Sequence, residues 1–177
     1  MPPTPAPAVS AIRIFEAATP ADWAQVRAIF GEYIDGLGID LAFQNVAAEL
    51  ADLPGAYAAP GGAVLLASVD GAIAGCGAFR PWAGADHPQA CEMKRLYVRP
   101  AWRGLRLGRR IAEALQQAAR ERGHRAMLLD VFEHMAAARA LYAALGFVEI
   151  APYYANPRAD VRYLKATLAR GGAGACV

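Results

Sequence analysis

A chain of 177 residues is long enough for one domain with short tails, and at that size about 70 % of the unfolded chain's surface becomes buried. Its 56 % hydrophobic content leans on alanine, with only 9 % aromatic, so core volume has to come from scattered Leu, Ile, Val, Trp, Tyr and Phe. Lys plus Arg number 18 against 16 for Asp plus Glu, and a net charge of +2 gives no global case for nucleic acid or another polyanion.

The charge is unevenly spread. From Arg13 to Asp70 there are eight acids and two bases, whereas from Cys91 to Arg110 there are seven bases and a single acid, Glu92. Cys76, Cys91 and Cys176 form no CxxC pair and have no histidine at ligand spacing, which reads as a reduced, cytoplasmic protein without a structural metal. The N-terminal "MPPTPAPAVS" has neither a charged n-region nor an apolar h-region, so no signal peptide or membrane span is expected. Residues 1–10 and 169–177 read as disordered tails around a domain at 11–168.

Along that domain "AIRIF" alternates as a short strand. Thr19 then Pro20 is a helix start, followed by Trp23, Val26, Phe30 and Ile34 near a period of 3.6 and a stop near Gly36 and Gly38. "DLAFQNVAAELADLPG" reads as a turn into a second short helix closed by Pro54 and Gly55. "AVLLASV", Asp70, Gly71 and "AIAGCGAF" read as a hairpin with a tight turn, and "PWAGADHPQA" as a loop before the strand "CEMKRLYV". "RGLRLGRR" leads into a helix with Leu107, Ile111, Leu115 and Ala118 on one side, ended by Gly123. The strand "RAMLLDVF", a helix carrying Ala138, Leu141, Tyr142 and Leu145 with Gly146 as its cap, and the strands "FVEI" and "VRYLKATL" complete the chain. The order β, α, α, β, β, β, α, β, α, β, β is an α/β single domain, with a mixed sheet of about seven strands and about four helices.

A strand, a glycine-containing turn and a helix aim several backbone N–H groups at one spot, and such a spot binds anions. "RGLRLGRR" is therefore a phosphate loop by layout, although the same residues suit a solvated helix face. A nucleic-acid surface would need a second basic cluster and stacking aromatics, which the chain lacks.

"RGLRLG" is similar to the pyrophosphate signature Q/R-x-x-G-x-G/A of the GNAT superfamily of acyl-CoA-dependent N-acyltransferases. "ALYAALGF" resembles that superfamily's later motif, and the two lie 33 residues apart from Gly108 to Leu141. The resemblance implies that the strand backbone at Leu96 and Val98 holds the pantetheine arm of acetyl-CoA. It also implies that the N–H groups of Arg103, Gly104, Leu105, Arg106, Leu107, Gly108 and Arg109 hold the pyrophosphate, and that no metal is used. Arg106 stands where the family has its middle glycine; the expectation is an outward-pointing side chain on ordinary backbone. Met135 stands where many members carry an asparagine that touches CoA.

The same resemblance implies that Tyr142 is the acid that protonates the departing thiolate and that Glu92, eleven residues before Arg103, is the general base; the residues alone equally allow a core tyrosine and a Glu92 paired with Lys94 or Arg95. A base is needed because an alkyl ammonium with a pKa of about 10.4 is neutral in roughly one molecule in a few thousand at pH 7. For the acceptor the fold points to "YIDGLGIDLAFQ" and "PYYANP". There Asp35, Asp40 and Gln44 are candidates to hold an amine, with Tyr33, Phe43, Tyr153 and Tyr154 as walls. The acidic stretch before Asp70 favours a cationic acceptor, small molecule or peptide, and dimerisation stays open. The expected activity is acetyl transfer from acetyl-CoA to a primary amine by direct attack; the alternative is a non-catalytic acyl-CoA-binding module.

Overall fold

The computed structural model describes residues 10–38 and 45–168. The expected tails, apart from their innermost residue Ser10, therefore lie outside the described residues, as do Asp40, Phe43 and Gln44.

Strand β1 (Ile12–Glu16) is followed by helices α1 (Pro20–Leu37) and α2 (Val46–Asp52), then β2 (Ala63–Val69), β3 (Ala72–Pro81) and β4 (Ala90–Val98). Helix α3 (Leu107–Glu121), β5 (Ala126–Phe132), α4 (Ala136–Ala144), β6 (Val148–Ile150) and β7 (Val161–Thr167) complete the order. Three of these ends have a clear local cause. Thr19 and Asp22 form a reciprocal capping box at the head of α1, with Pro20 in the first turn. Asp70 and Gly71 both carry positive φ, 50° and 86°, as a two-residue turn whose twist matches its strands requires. At the end of α4, Gly146 takes φ 83°, and Phe147 donates its N–H to the carbonyl of Tyr142 at 3.0 Å.

The sheet runs β1-β2-β3-β4-β5-β7-β6. All neighbours are antiparallel except β4 and β5, which are parallel. One face packs on α3, where Leu107, Ile111 and Leu115 meet Leu65, Phe79, Cys91, Met93 and Met127. The opposite face packs on α1, where Val26, Ile29 and Phe30 meet Val64, Leu66, Cys76 and Ala78. The α3 stripe closes on Ala119, fully buried, with Ala118 only half-buried beside it. Strand β3 continues past Phe79 because Arg80 and Pro81 pair with Glu92 and Cys91 of β4.

Candidate active site

The site begins where the sheet stops closing. Strands β4 and β5 pair only over Ala90–Glu92 against Ala126–Leu128. Beyond Glu92 one extra residue enters β4, since Cys76 faces Tyr97 while Ala78 faces Lys94. The extra residue is accommodated by left-handed backbone at Arg95, φ 58°. The bulge turns the Arg95 guanidinium towards α2, where it donates to both oxygens of Glu49 at 3.0 and 2.9 Å.

Between the parted strands lies a cavity of about 390 Å³, walled by Met93–Val98 of β4 and Leu129–Phe132 of β5. Tyr33 and Leu37 of α1 close one side, Met135, Leu141 and Tyr142 another, and Arg103 and Gly108 stand at one end. A strand whose neighbour has turned away keeps unused N–H and C=O groups along that edge, so this wall offers backbone hydrogen bonds to a ligand.

At the Arg103 end the chain makes a short 3₁₀ turn, Pro100–Trp102, and enters α3 through Gly104 (φ 93°) and Arg106 (φ 55°). The first helical bond is from Arg110 to the carbonyl of Arg106 at 3.1 Å, and no side chain caps the helix start. The N–H groups of Leu107, Gly108 and Arg109 thus lack helical acceptors, and with the helix dipole they favour an anion. Gly108 is informative here. A Cβ added to it would meet Leu141 and Val98 at 3.8 Å, an ordinary contact, so packing does not demand glycine. What its bareness leaves open is the cavity end in front of the helix.

The loop's side chains divide by role. Leu107 is buried in the core against α3's sheet face, while Gly104, Leu105, Arg106 and Arg109 are exposed. Arg109 pairs with Glu113 at 2.8 Å, and Arg103 donates to the Val98 carbonyl at 3.3 Å. Arg106 corrects the expectation of ordinary backbone: its φ of 55° and ψ of 23° are left-handed, the conformation that a glycine adopts without strain.

Tyr142 is 8 % exposed and lines the cavity from α4. Its hydroxyl makes no hydrogen bond to another described side chain. Burial pushes that hydroxyl well above its ordinary value, and the charge of Asp130 adds to the shift. It stays protonated and points at the space between the strands. Met135 is the residue before α4, gives the helix no side-chain cap and also lines the cavity.

At the α1 end the walls become polar. Lys94, 9 % exposed, reaches Asp130 at 3.2 Å across the gap between β4 and β5, and both line the cavity. Glu92 is 1 % exposed and is not among the lining residues. Its Oε2 accepts two bonds from Arg80 at 3.0 and 2.9 Å. Its Oε1 accepts one from the Tyr153 hydroxyl at 3.1 Å and lies 3.6 Å from the Lys94 ammonium. Register puts Glu92 on the last paired position of β4, and among the described residues its carboxylate approaches the cavity through Lys94.

Tyr153 and Tyr154, expected as acceptor walls, are not among the residues that line this cavity but lie directly behind its charged end. Their hydroxyls donate to Glu92 and to Asp130, the latter at 3.1 Å. Tyr33 does line it, its ring 5.4 Å from that of Tyr97.

The Acetyltransferase (GNAT) family matches residues 27–147 of the chain. The chain is a GNAT acetyltransferase. It is 38 % identical over 163 residues to an uncharacterised N-acetyltransferase of Schizosaccharomyces pombe, an alignment covering 92 % of this chain and 95 % of the relative. A GNAT-family acetyltransferase of Staphylococcus aureus has a similar structure, with a TM-score of 0.71 at 19 % identity over 90 % of this chain and 100 % of that one. The Salmonella typhimurium protein yncA, solved with its cofactor acetyl-CoA, gives a TM-score of 0.65 at 23 % identity over 94 % of this chain and 99 % of its own.

For this acetyltransferase the sequence pointed at the phosphate loop and Tyr142 but gave no site role to Lys94, a possible partner of Glu92, or to Asp130. A signal was present. Asp130 is the lone acid in "RAMLLDVF", a strand otherwise apolar apart from its first residue, and a carboxylate there requires a partner. Among the described residues no helix is long and apolar enough to cross a membrane, and no group of three or more His, Cys, Asp or Glu is placed to hold a metal ion.

Proposed function

We propose that this acetyltransferase moves the acetyl group of acetyl-CoA to a primary amine by direct attack, both substrates being bound together. The observation that carries the reading is the continuity of one cavity. It runs from the open N-terminus of α3, past Tyr142, to the Lys94–Asp130 pair. The donor end suits a pyrophosphate, the unpaired edge at Leu96 and Val98 suits an amide-bearing arm, and the far end holds the charged groups an amine needs.

The thioester supplies an activated acyl carbon, to which the amine nitrogen bonds as the C–S bond breaks. Everything else falls to the chain. Holding both partners in one cavity makes the attack effectively unimolecular. The proton of the attacking nitrogen passes to the carboxylate that fronts the cavity, Asp130, while Glu92 acts as a positioning residue that fixes Lys94. The Tyr142 hydroxyl, kept protonated by burial, serves the departing sulfur. The buried free thiols Cys76 and Cys91 suit a reducing compartment, so we place the enzyme in the cytoplasm.

Purified protein with acetyl-CoA, a panel of amines and a thiol-detecting dye tests the reading. Thermal stabilisation by acetyl-CoA and amine-dependent thiol release, with intersecting double-reciprocal lines, are expected. Parallel lines would speak for a covalent acyl-enzyme and sink direct attack; stabilisation without amine-dependent thiol release would leave only a binding module.

A further inference from the structure

Lys94 is a buried cation that is only partly used. An ammonium has three protons to donate, and one of them goes to Asp130 Oδ1 at 3.2 Å. The other nearby carboxylate oxygen, on Glu92, is 3.6 Å away, an ion-pair distance too long for a hydrogen bond. Among the described residues no further acceptor meets the ammonium, although the side chain is 9 % exposed and lines the cavity. Asp130 is also only partly used. Among the described residues each of its oxygens takes one bond, from Lys94 and from the Tyr154 hydroxyl at 3.1 Å, and a carboxylate accepts about four.

Among the described residues the other charges near this end are spent. Arg95 is held bidentate by Glu49, and Arg80 by the fully buried Glu92. What faces an incoming molecule is one positive and one negative group side by side. A purely cationic amine that approaches Asp130 meets the Lys94 ammonium, and a purely anionic ligand meets Asp130. Only a molecule with both signs a few ångströms apart finds both favourable.

We infer that the acceptor is an α-amino acid, its carboxylate bound by the Lys94 ammonium and its amine placed beside Asp130. The inference rests on the proposed acetyl transfer and names its substrate class. An α-amine and its carboxylate are separated by one carbon, which sets nitrogen and oxygen roughly 3 Å apart, close to the 3.2 Å between Lys94 and Asp130. The four charged groups then alternate in sign around a ring. A lysine side chain or a polyamine carries no carboxylate at that spacing. Among the described residues the remaining walls at this end, Tyr33, Leu37, Phe132 and Met135, are aromatic or apolar, which favours an acceptor whose own side chain is apolar or aromatic. This replaces the cationic acceptor that the acidic N-terminal stretch suggested: of those acids, Glu32 and Glu49 are taken by Arg99 and Arg95.

The test compares, on the wild-type enzyme with acetyl-CoA, each of the twenty amino acids with its carboxamide and its decarboxylated amine, together with spermidine and a lysine-centred peptide. For apolar or aromatic amino acids kcat/KM should exceed that of the carboxamide and the amine by at least about thirtyfold, the scale of a charge-assisted bond to a buried ion. Lys94→Met should bring that ratio below about threefold by losing the amino acid alone, and Lys94→Arg should restore much of it. Amides or simple amines used as well as acids, a preference for spermidine or the peptide, or no amino acid acetylated while another amine is, would each overturn the inference while leaving acetyl transfer standing. Calorimetry showing no acetyl-CoA binding to the wild type would remove the underlying reading and this one with it. The substrate comparison needs no variant, so a misfolded Lys94→Met does not spare the proposal.

Discussion

Phe147 holds Tyr142 twice: its N–H bonds the Tyr142 carbonyl at 3.0 Å, and its ring meets the tyrosine ring at 5.6 Å and 61°. The helix-ending turn that the glycine at 146 permits is therefore also the device that orients the buried phenol. With its backbone bonded to Phe147 and its ring against the phenylalanine ring, Tyr142 is held in the cavity wall.

Tyr142→Phe should accordingly leave the fold and acetyl-CoA affinity within about threefold of wild type while kcat falls roughly 10²- to 10⁴-fold, the range for one proton-transfer group. Because burial holds the hydroxyl above its ordinary value, it stays protonated through the usual tyrosine range. The wild-type pH–rate profile should then show no descending limb from this residue below about pH 10. Such a limb, lost in the phenylalanine variant, would contradict the environment described for Tyr142.

Gly108→Ala separates folding from ligand binding. The new methyl meets only Leu141 and Val98 at 3.8 Å, and alanine in a helix is favoured over glycine by up to about 1 kcal/mol. Thermal stability should hold or rise by roughly 2–4 °C. Acetyl-CoA affinity, read by calorimetry, should drop at least about tenfold because the methyl projects in front of the helix start.

Arg106→Gly relieves left-handed backbone. The strain of about 1–2 kcal/mol is offset by the entropy glycine loses on folding, about 0.5–1 kcal/mol, for a net gain of up to about 1.5 kcal/mol. Denaturant unfolding should show that gain. The side chain is exposed, so acetyl-CoA affinity should change less than about tenfold and activity should persist.

Glu49→Gln strands the Arg95 guanidinium in the bulge of β4. Burial alone would raise the Glu49 carboxyl, but the Arg95 bonds and charge, with the Tyr57 hydroxyl, outweigh it and hold the group below its ordinary value. A lowered carboxyl stabilises the fold above its unfolded pKa and loses that contribution as pH falls through the folded value. At neutral pH the variant should be less stable by about 3 kcal/mol, a melting shift of roughly 6–12 °C. The gap between variant and wild type should narrow below about pH 4.

The element order was legible because each signal is local. Thr19 before Pro20, Asp70 before Gly71 and the 3.6-residue stripe of α3 decide their own geometry within a few residues. The phosphate loop was legible for the same reason, and Arg106 was visible as a departure, although its φ was not. The charged end of the cavity was hidden because its pairs are remote in the chain: Lys94 and Asp130 are 36 residues apart, and Arg95 and Glu49 are 46 apart. A bulge of one residue decides which side chains of β4 reach them. Alternation along "CEMKRLYV" puts Glu92 and Lys94 on one face, yet no periodicity says that the neighbouring strand leaves after Glu92.

That early departure gives the sheet an unfinished row. Three pairs of residues join two antiparallel halves, β1–β4 and β5–β7, and past them each half exposes an edge to the same narrow space. An extended molecule with amide groups, lying along Leu96 and Val98, would continue the row as a strand of foreign chemistry. Recognition would then use bonds that the fold has left unmade, and the cosubstrate would clasp the two halves together. Amide exchange should slow along β4 and β5 together when acetyl-CoA is added, with little change in β1 or β2.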